Sequence, residues 1–172
     1  RYLRLEVEER TNHRGEVLRP LDVDALAGLV AFFQDEGVEA LAVSFLHAYA
    51  NPANEVAALD ALAGLWPEVP VVASHQTTRE WREYERTNTA VLSAYVSPVA
   101  DRYLSTLESR LQADGMNRPP YIMQSNGGVT TVPDARANPI AILESGPASG
   151  VLGAAALAQA MGRPNVIALD IG

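Results

Sequence analysis

Leu3, Leu5 and Val7 alternate with Arg4, Glu6 and Glu8, the period-two pattern of a half-buried strand. Thr11-Asn12-His13-Arg14-Gly15 is turn-forming and Glu16-Val17-Leu18 resumes the apolar run, so the chain is predicted to open on a hairpin with a loose tip. The period then changes. Leu26, Leu29, Val30 and Phe33 recur at helical spacing between Asp22, a capping residue, and Gly37, a stop. Ala40 to Phe45 predicts a strand, Asn51-Pro52 or Asn54 opens a second helix through Leu59 and Leu62 that Trp66-Pro67 closes, and Val69 to Ala73 predicts another short strand. From about Glu80 the pattern turns helical for a long stretch, with Leu92, Val96, Val99, Tyr103, Leu107 and Leu111 on one apolar seam. Pro98 lies inside that stretch and predicts a kink or a break into two helices, and Asp114-Gly115 ends the second part.

Pro119-Pro120 is the clearest linker-like punctuation, and a second lobe is predicted to begin there. The strand Tyr121 to Gln124 and the turn Ser125-Asn126-Gly127-Gly128 come next. Ser145-Gly146-Pro147 then opens a small-residue helix that reaches about Ala160 and stops at Gly162, and Asn165 begins a terminal strand. Strands alternating with helices in this order argue for an α/β protein with helices packed on a mixed sheet.

Composition narrows the class. Hydrophobic residues make up 48% of the 172 positions and charged residues 20%, the profile of a globular chain with room for one sizeable core or two small lobes. Arg, Asp, Glu or Pro interrupts every apolar stretch before it reaches the ~20 residues a membrane span requires. The chain has no Cys, which removes disulfides and thiolate chemistry and fits a reducing compartment, so cytoplasm is the expected location. A net charge of −8 without a visible basic patch argues against nucleic acid as a partner. Arg1 in place of Met, with no leader-like segment after it, reads as an internal boundary rather than a natural start.

Three segments could carry chemistry. Val166 to Ile171 reads as an apolar strand whose exit carries Asp170 and Gly172. A carboxylate there can hold a hydrated Mg2+ while a glycine turn brings backbone N–H groups to phosphate oxygens, or the pair can be a plain surface turn. At the helix start Ser145 to Gly150, Gly146 and Gly150 leave space for an anion at the positive end of the helix dipole, or allow close packing on the sheet. There is no Lys for a P-loop, and the spacing of Gly146, Gly150 and Gly153 is not that of a dinucleotide fingerprint. Asn126, Gly127 and Gly128 lie just beyond a strand end, where binding loops are found, although an Asn-Gly turn needs no ligand. His13, His47 and His75 are isolated and read as packing or surface residues rather than zinc ligands. The run Arg79 to Arg86 reads as a solvated helix face, and no catalytic residue is assigned.

Four segments in this order resemble one family: Phe45-Leu46-His47-Ala48-Tyr49-Ala50-Asn51-Pro52, Glu83-Tyr84-Glu85-Arg86-Thr87, Ile122-Met123-Gln124-Ser125-Asn126-Gly127-Gly128, and Ser145-Gly146-Pro147-Ala148-Ser149-Gly150 leading to Asp170-Ile171-Gly172. The chain is similar to the hydantoinase A/5-oxoprolinase family, also called the N-methylhydantoinase A type, which includes large subunits of acetone and acetophenone carboxylases. The resemblance implies an actin-like, ribonuclease H-like ATPase fold of two related lobes, each a mixed sheet flanked by helices. Residues 1–118 would be the later part of the N-terminal lobe, and residues 119–172 the start of the main lobe, cut at its phosphate loop. It implies ATP and Mg2+ as cofactors, with Asp170 as the metal-binding residue, Gly172 completing the turn, and Gly146, Gly150, Asn126, Gly127 and Gly128 near the nucleotide or a subunit contact. The parent would open a small cyclic amide such as a hydantoin or 5-oxoproline ring together with a hydantoinase B-type subunit or domain. The fragment alone would be inactive. An ATP-dependent ketone carboxylase and a non-catalytic assembly module are the rival readings.

Overall fold

A computed structural model describes residues 2–171, so Gly172, expected to complete the turn beside Asp170, lies outside the described residues. The chain divides into two compact units, residues 1–99 and 100–172, and the division falls within one long helix.

In the first unit, β1 (Arg10–Thr11) and β2 (Val17–Arg19) form the antiparallel hairpin. The alternating stretch at Leu3 and Leu5 stays outside it. Both side chains are exposed, and only Val7 reaches the core, because the pairing begins after the alternation has ended. Helix α1 (Ala25–Asp35) follows Asp22, whose Oδ1 accepts the Ala25 N–H at 3.3 Å, and ends before Gly37 at φ +68°. β3 (Leu41–Val43), α2 (Ala53–Leu65) and β4 (Val71–Ala73) make a β-α-β unit with β3 and β4 parallel, as a crossover helix requires. Val30, Leu41, Leu62 and Val69 close one core cluster, and Leu21, Leu26 and Ala58 a second. Buried Asn54 ties the hairpin to α2. Its Oδ1 accepts the Leu21 N–H at 3.1 Å, and its amide donates to Glu9 Oε2 at 2.7 Å and to the Arg19 carbonyl at 3.2 Å.

A single turn α3 (Ser74–Thr77) follows β4, and the long helix α4 runs from Glu83 to Ala113. It continues through Pro98 without dividing in two. Pro98 has no N–H for the carbonyl four residues back, and one residue earlier the Ser97 hydroxyl donates to the Ser93 carbonyl at 2.8 Å. The apolar seam expected on α4 is not its buried face: Leu92, Val99 and Tyr103 are all more than half exposed. In the first unit the buried strip instead holds Arg86, Ala90, Ser93, Ala94 and Ser97, small residues apart from the arginine, and the alanines let the helix approach β4 through Val72.

The second unit holds the C-terminal part of α4, the hairpin of β5 (Tyr121–Met123) and β6 (Val129–Thr131), α5 (Val132–Ala137), a 3-10 turn (Pro139–Ile142) and α6 (Ser145–Ala160). Leu104, Val132 and Ala135 form its core with Ile122 and Ile142. Arg136 pins α5 to α4 through Glu108 Oε2 at 2.8 Å and Asp101 Oδ1 at 3.3 Å. After Gly162 the strand expected from Asn165 does not form. Residues 163–171 are irregular, with Ile167 and Ile171 each 90% exposed, because no described strand offers them a partner edge. The described residues therefore form an α/β protein of three separate two-stranded sheets, one parallel and two antiparallel, rather than one mixed sheet.

Candidate functional site

The start of α6 is built from residues that leave backbone open. Glu144 occupies the N-cap without a side-chain cap hydrogen bond, and Pro147 sits in the first turn, where its missing N–H costs nothing. A Cβ built on Gly146, Gly150 or Gly153 would meet no atom within 4 Å. Close packing among the described residues is therefore not what these glycines serve. They leave room, and the room is a groove of about 500 Å³ lined by Gly146, Pro147, Gly150, Ala154 and Asp170 among others. The structure thus brings Gly146, Gly150 and Asp170 together, with Asp170 exposed on an irregular segment rather than at a strand's exit. Among the described residues, no three His, Asp or Glu side chains gather as a ready-made metal cage.

Asn126, Gly127 and Gly128 do not line that groove; they form the tip of the β5–β6 hairpin. The Asn126 Oδ1 accepts the Gly128 N–H at 2.8 Å, the Gln124 N–H donates to the Gly128 carbonyl at 2.8 Å, and Gly127 sits at φ +86°. The tip is joined to the 3-10 turn and to the start of α6. The Ser125 N–H donates to the Ala141 carbonyl at 2.7 Å, and the Ser125 hydroxyl accepts the Glu144 N–H at 3.1 Å, which fixes the residue before α6. A Cβ on Gly127 would lie 2.6 Å from Leu152 Cδ1. Leu152 is half-exposed and can rotate away, so the left-handed backbone sets the penalty. Gly127→Ala is expected to lower stability by about 1–2 kcal/mol in urea unfolding, with Gly127→Asn closer to the parent chain because Asn tolerates positive φ.

A polar network in the first unit joins residues to which the sequence patterns assign no site role. Glu55 and Ser74 are buried and Arg86 is fully buried, not on a solvated face. The Glu55 Oε1 accepts the Phe45 N–H at 2.9 Å and the Ser74 hydroxyl at 2.5 Å, while its Oε2 accepts the His75 N–H at 2.9 Å and faces His75 Nδ1 at 2.6 Å. Arg86 donates from Nε to Ser74 Oγ at 3.0 Å, and from its terminal nitrogens to the Glu80 carbonyl at 3.0 Å, the Phe45 carbonyl at 2.7 Å and Glu83 Oε2. Its guanidinium also lies over the Tyr49 ring, 5.7 Å from the centroid. The signal was present in the spacing. Glu55 shares a helix face with Ala58 and Leu62, and Arg86 shares one with Ala90 and Ala94, all of which are buried.

The profile of the hydantoinase/oxoprolinase family matches residues 86–172, and that of the hydantoinase/oxoprolinase N-terminal region matches residues 1–64. The chain belongs to the hydantoinase/oxoprolinase family. It is 34% identical over 172 residues to the caprolactamase subunit alpha of Pseudomonas jessenii, covering 100% of this chain and 25% of that protein. It is 33% identical over 177 aligned positions to the acetophenone carboxylase gamma subunit of Aromatoleum aromaticum, covering 100% of this chain and 24% of the relative. The crystal structure of the ATP-dependent caprolactamase from P. jessenii superposes with a TM-score of 0.79 at 32% identity, over 91% of this chain and 23% of that one. The chain thus spans about a quarter of the length of these relatives. Among the described residues no helix is long and apolar enough to cross a membrane.

Proposed function

We propose that the parent protein is the ATP-dependent subunit of a cyclic-amide hydrolase that opens a hydantoin or 5-oxoproline ring, and that the groove at Gly146, Gly150 and Asp170 receives the nucleotide's phosphates. The observation that carries this is the convergence of one exposed carboxylate and two glycines without neighbours on a single groove at the start of a helix. The donor set fits the cofactor. Mg2+ keeps several waters and takes one or two protein carboxylates beside the phosphates, so one carboxylate suffices. Asp170 would hold the metal, and the bare Gly146 and Gly150 would let phosphate oxygens approach backbone donors at the positive end of the α6 dipole. When bound, Mg-ATP supplies a phosphoryl group that converts a lactam carbonyl oxygen into a leaving group, which amide resonance otherwise prevents.

An actin-like fold belongs to the same reading, with residues 1–118 closing its first lobe and 119–172 opening the next. So do the supporting places of Gly172, Asn126, Gly127 and Gly128, a hydantoinase B-type partner and a cytoplasmic location. Names of relatives as subunits support the partner, and the description of the caprolactamase as ATP-dependent supports the nucleotide. Likeness to a carboxylase subunit favours a second reading, in which the same groove serves the carboxylation of a small ketone.

ATP turnover by the intact protein with its partner subunit separates the two. Stimulation by hydantoin or 5-oxoproline without bicarbonate is expected. Turnover that requires bicarbonate and a ketone would favour the carboxylase instead, and no nucleotide binding at all would leave an assembly module. The glycines offer an independent check. Gly150→Ala is expected to stabilise the fold by about 0.5–1 kcal/mol, as alanine does inside a helix, while weakening Mg-ATP binding measured by calorimetry. A variant that gains stability and keeps full affinity would remove Gly150 from the site.

A further inference from the structure

His47 stands in a loop that begins at the carboxyl end of β3, beside the carboxyl end of its parallel neighbour β4, the edge at which open α/β units place their ligands. It is the one residue other than glycine, among those described, with positive φ, at +58°. The loop is held from beneath on both sides of the bend. The Phe45 N–H and carbonyl are taken by Glu55 and Arg86, and the His47 N–H donates to Glu83 Oε1 at 3.2 Å. Tyr49 packs edge-on against the imidazole, 5.9 Å between centroids, with Arg86 on its own ring. Two buried charges and the half-buried Glu83 therefore fix the backbone, and the imidazole is left incompletely used. Its Nδ1 is sealed from solvent without a hydrogen-bond partner, 4.0 Å from Glu83 Oε1, while the side chain keeps about 24% of its surface exposed. Nε2 makes no hydrogen bond among the described residues.

We propose that His47 accepts a hydrogen bond at Nε2 from the N–H of a bound cyclic amide, with Glu83 and Arg86 as positioning residues. A carboxylate facing Nδ1 favours the tautomer with its proton on that nitrogen, and the opposite ring nitrogen, on a side chain that is part-exposed, then carries a free lone pair. An approach of about 1 Å would close the Nδ1 to Glu83 contact to hydrogen-bond length. Arg86 keeps Glu83 in place from the other side by pairing with Oε2. The ligand class, a ring that offers an amide N–H, rests on the function proposed above; the tautomer and the unpaired nitrogen do not.

The test uses the intact protein with histidine labelled in the ring by 15N. Wild type is expected to show His47 as the Nδ1–H tautomer, with its Nε2 resonance moving when hydantoin or 5-oxoproline is added, and Glu83→Gln is expected to return the ring toward the Nε2–H form. His47→Asn retains a residue that tolerates positive φ while removing Nε2. It should raise KM for the cyclic amide about tenfold, the loss of one hydrogen bond, and leave KM for ATP unchanged. An Nε2–H tautomer in wild type overturns the inference, as does an unchanged KM in a variant whose parent opens the ring. If wild type opens neither ring, the proposed function falls, and the tautomer decides the fate of the His47–Glu83 pair.

Discussion

Replacing Arg86 by methionine is expected to lower the unfolding free energy of the chain by about 3–5 kcal/mol, the usual effect of removing one partner from a buried charged network. The guanidinium is fully buried and satisfies Ser74 Oγ, the Glu80 and Phe45 carbonyls and one oxygen of Glu83. Methionine keeps much of the length and none of the donors. Two carbonyls and a carboxylate would lose their partner, and each neutral group orphaned in the interior costs about 1–3 kcal/mol. Lysine should fall between, since one ammonium cannot reach acceptors arranged around a planar fork. Urea unfolding followed by tryptophan fluorescence measures both variants. A loss under about 1 kcal/mol for the methionine variant would mean that the network holds the loop without holding the fold.

That residue also marks where hydrophobic periodicity stops being informative, although its spacing from Ala90 and Ala94 holds a signal. Helices α1 and α2 were legible because Leu26, Val30 and Leu62 stand at helical spacing between clear caps and stops, and β3 and β4 because short apolar runs flank a helix-length segment. The start of α6 was legible from Ser145-Gly146-Pro147. The face of α4 was not. Hydrophobic periodicity points to Leu92, Val99 and Tyr103, whereas the buried strip is small and polar because the helix lies close to β4 and carries Arg86 into a network. A charged run at helical spacing is usually solvated, and nothing in Arg79 to Arg86 alone reveals that one arginine finds its acceptors on separate segments as well as on its own helix start.

The ends of the chain show the complementary limit. Leu3, Leu5 and the stretch from Val166 to Ile171 have strand-like composition, but a strand exists only where a neighbour supplies hydrogen bonds, and neither segment has one among the described residues. Of the candidate site, Gly146, Gly150 and Asp170 were legible as separate signals and converge on one groove, whereas Asn126, Gly127 and Gly128 are occupied in making a turn. His47 reads in the sequence as a packing or surface residue because an isolated histidine carries no pattern; its positive φ and its Glu83 neighbour appear only in three dimensions.

The second large effect concerns Asp170. Asp170→Asn keeps the shape of the side chain and removes the charge, and it is expected to weaken Mg-ATP binding by the intact protein about 100-fold, or about 2.7 kcal/mol. The magnitude follows from the proposed role: a carboxylate bound directly to Mg2+ or to its waters would contribute far more than an exposed surface charge, and an amide oxygen would replace it poorly. The fold should not register the change, because Asp170 is exposed on an irregular segment and forms no ion pair among the described residues. Its unfolding free energy is expected to stay within about 0.5 kcal/mol of wild type, as for surface substitutions in general.

The most direct measurement is therefore calorimetric titration of Mg-ATP into the intact protein and its Asp170→Asn variant, after both are shown to unfold at the same urea concentration. Saturable heat from wild type and none from the variant at matched concentrations is the predicted result. Equal binding by the two would contradict the assignment of this groove to the nucleotide.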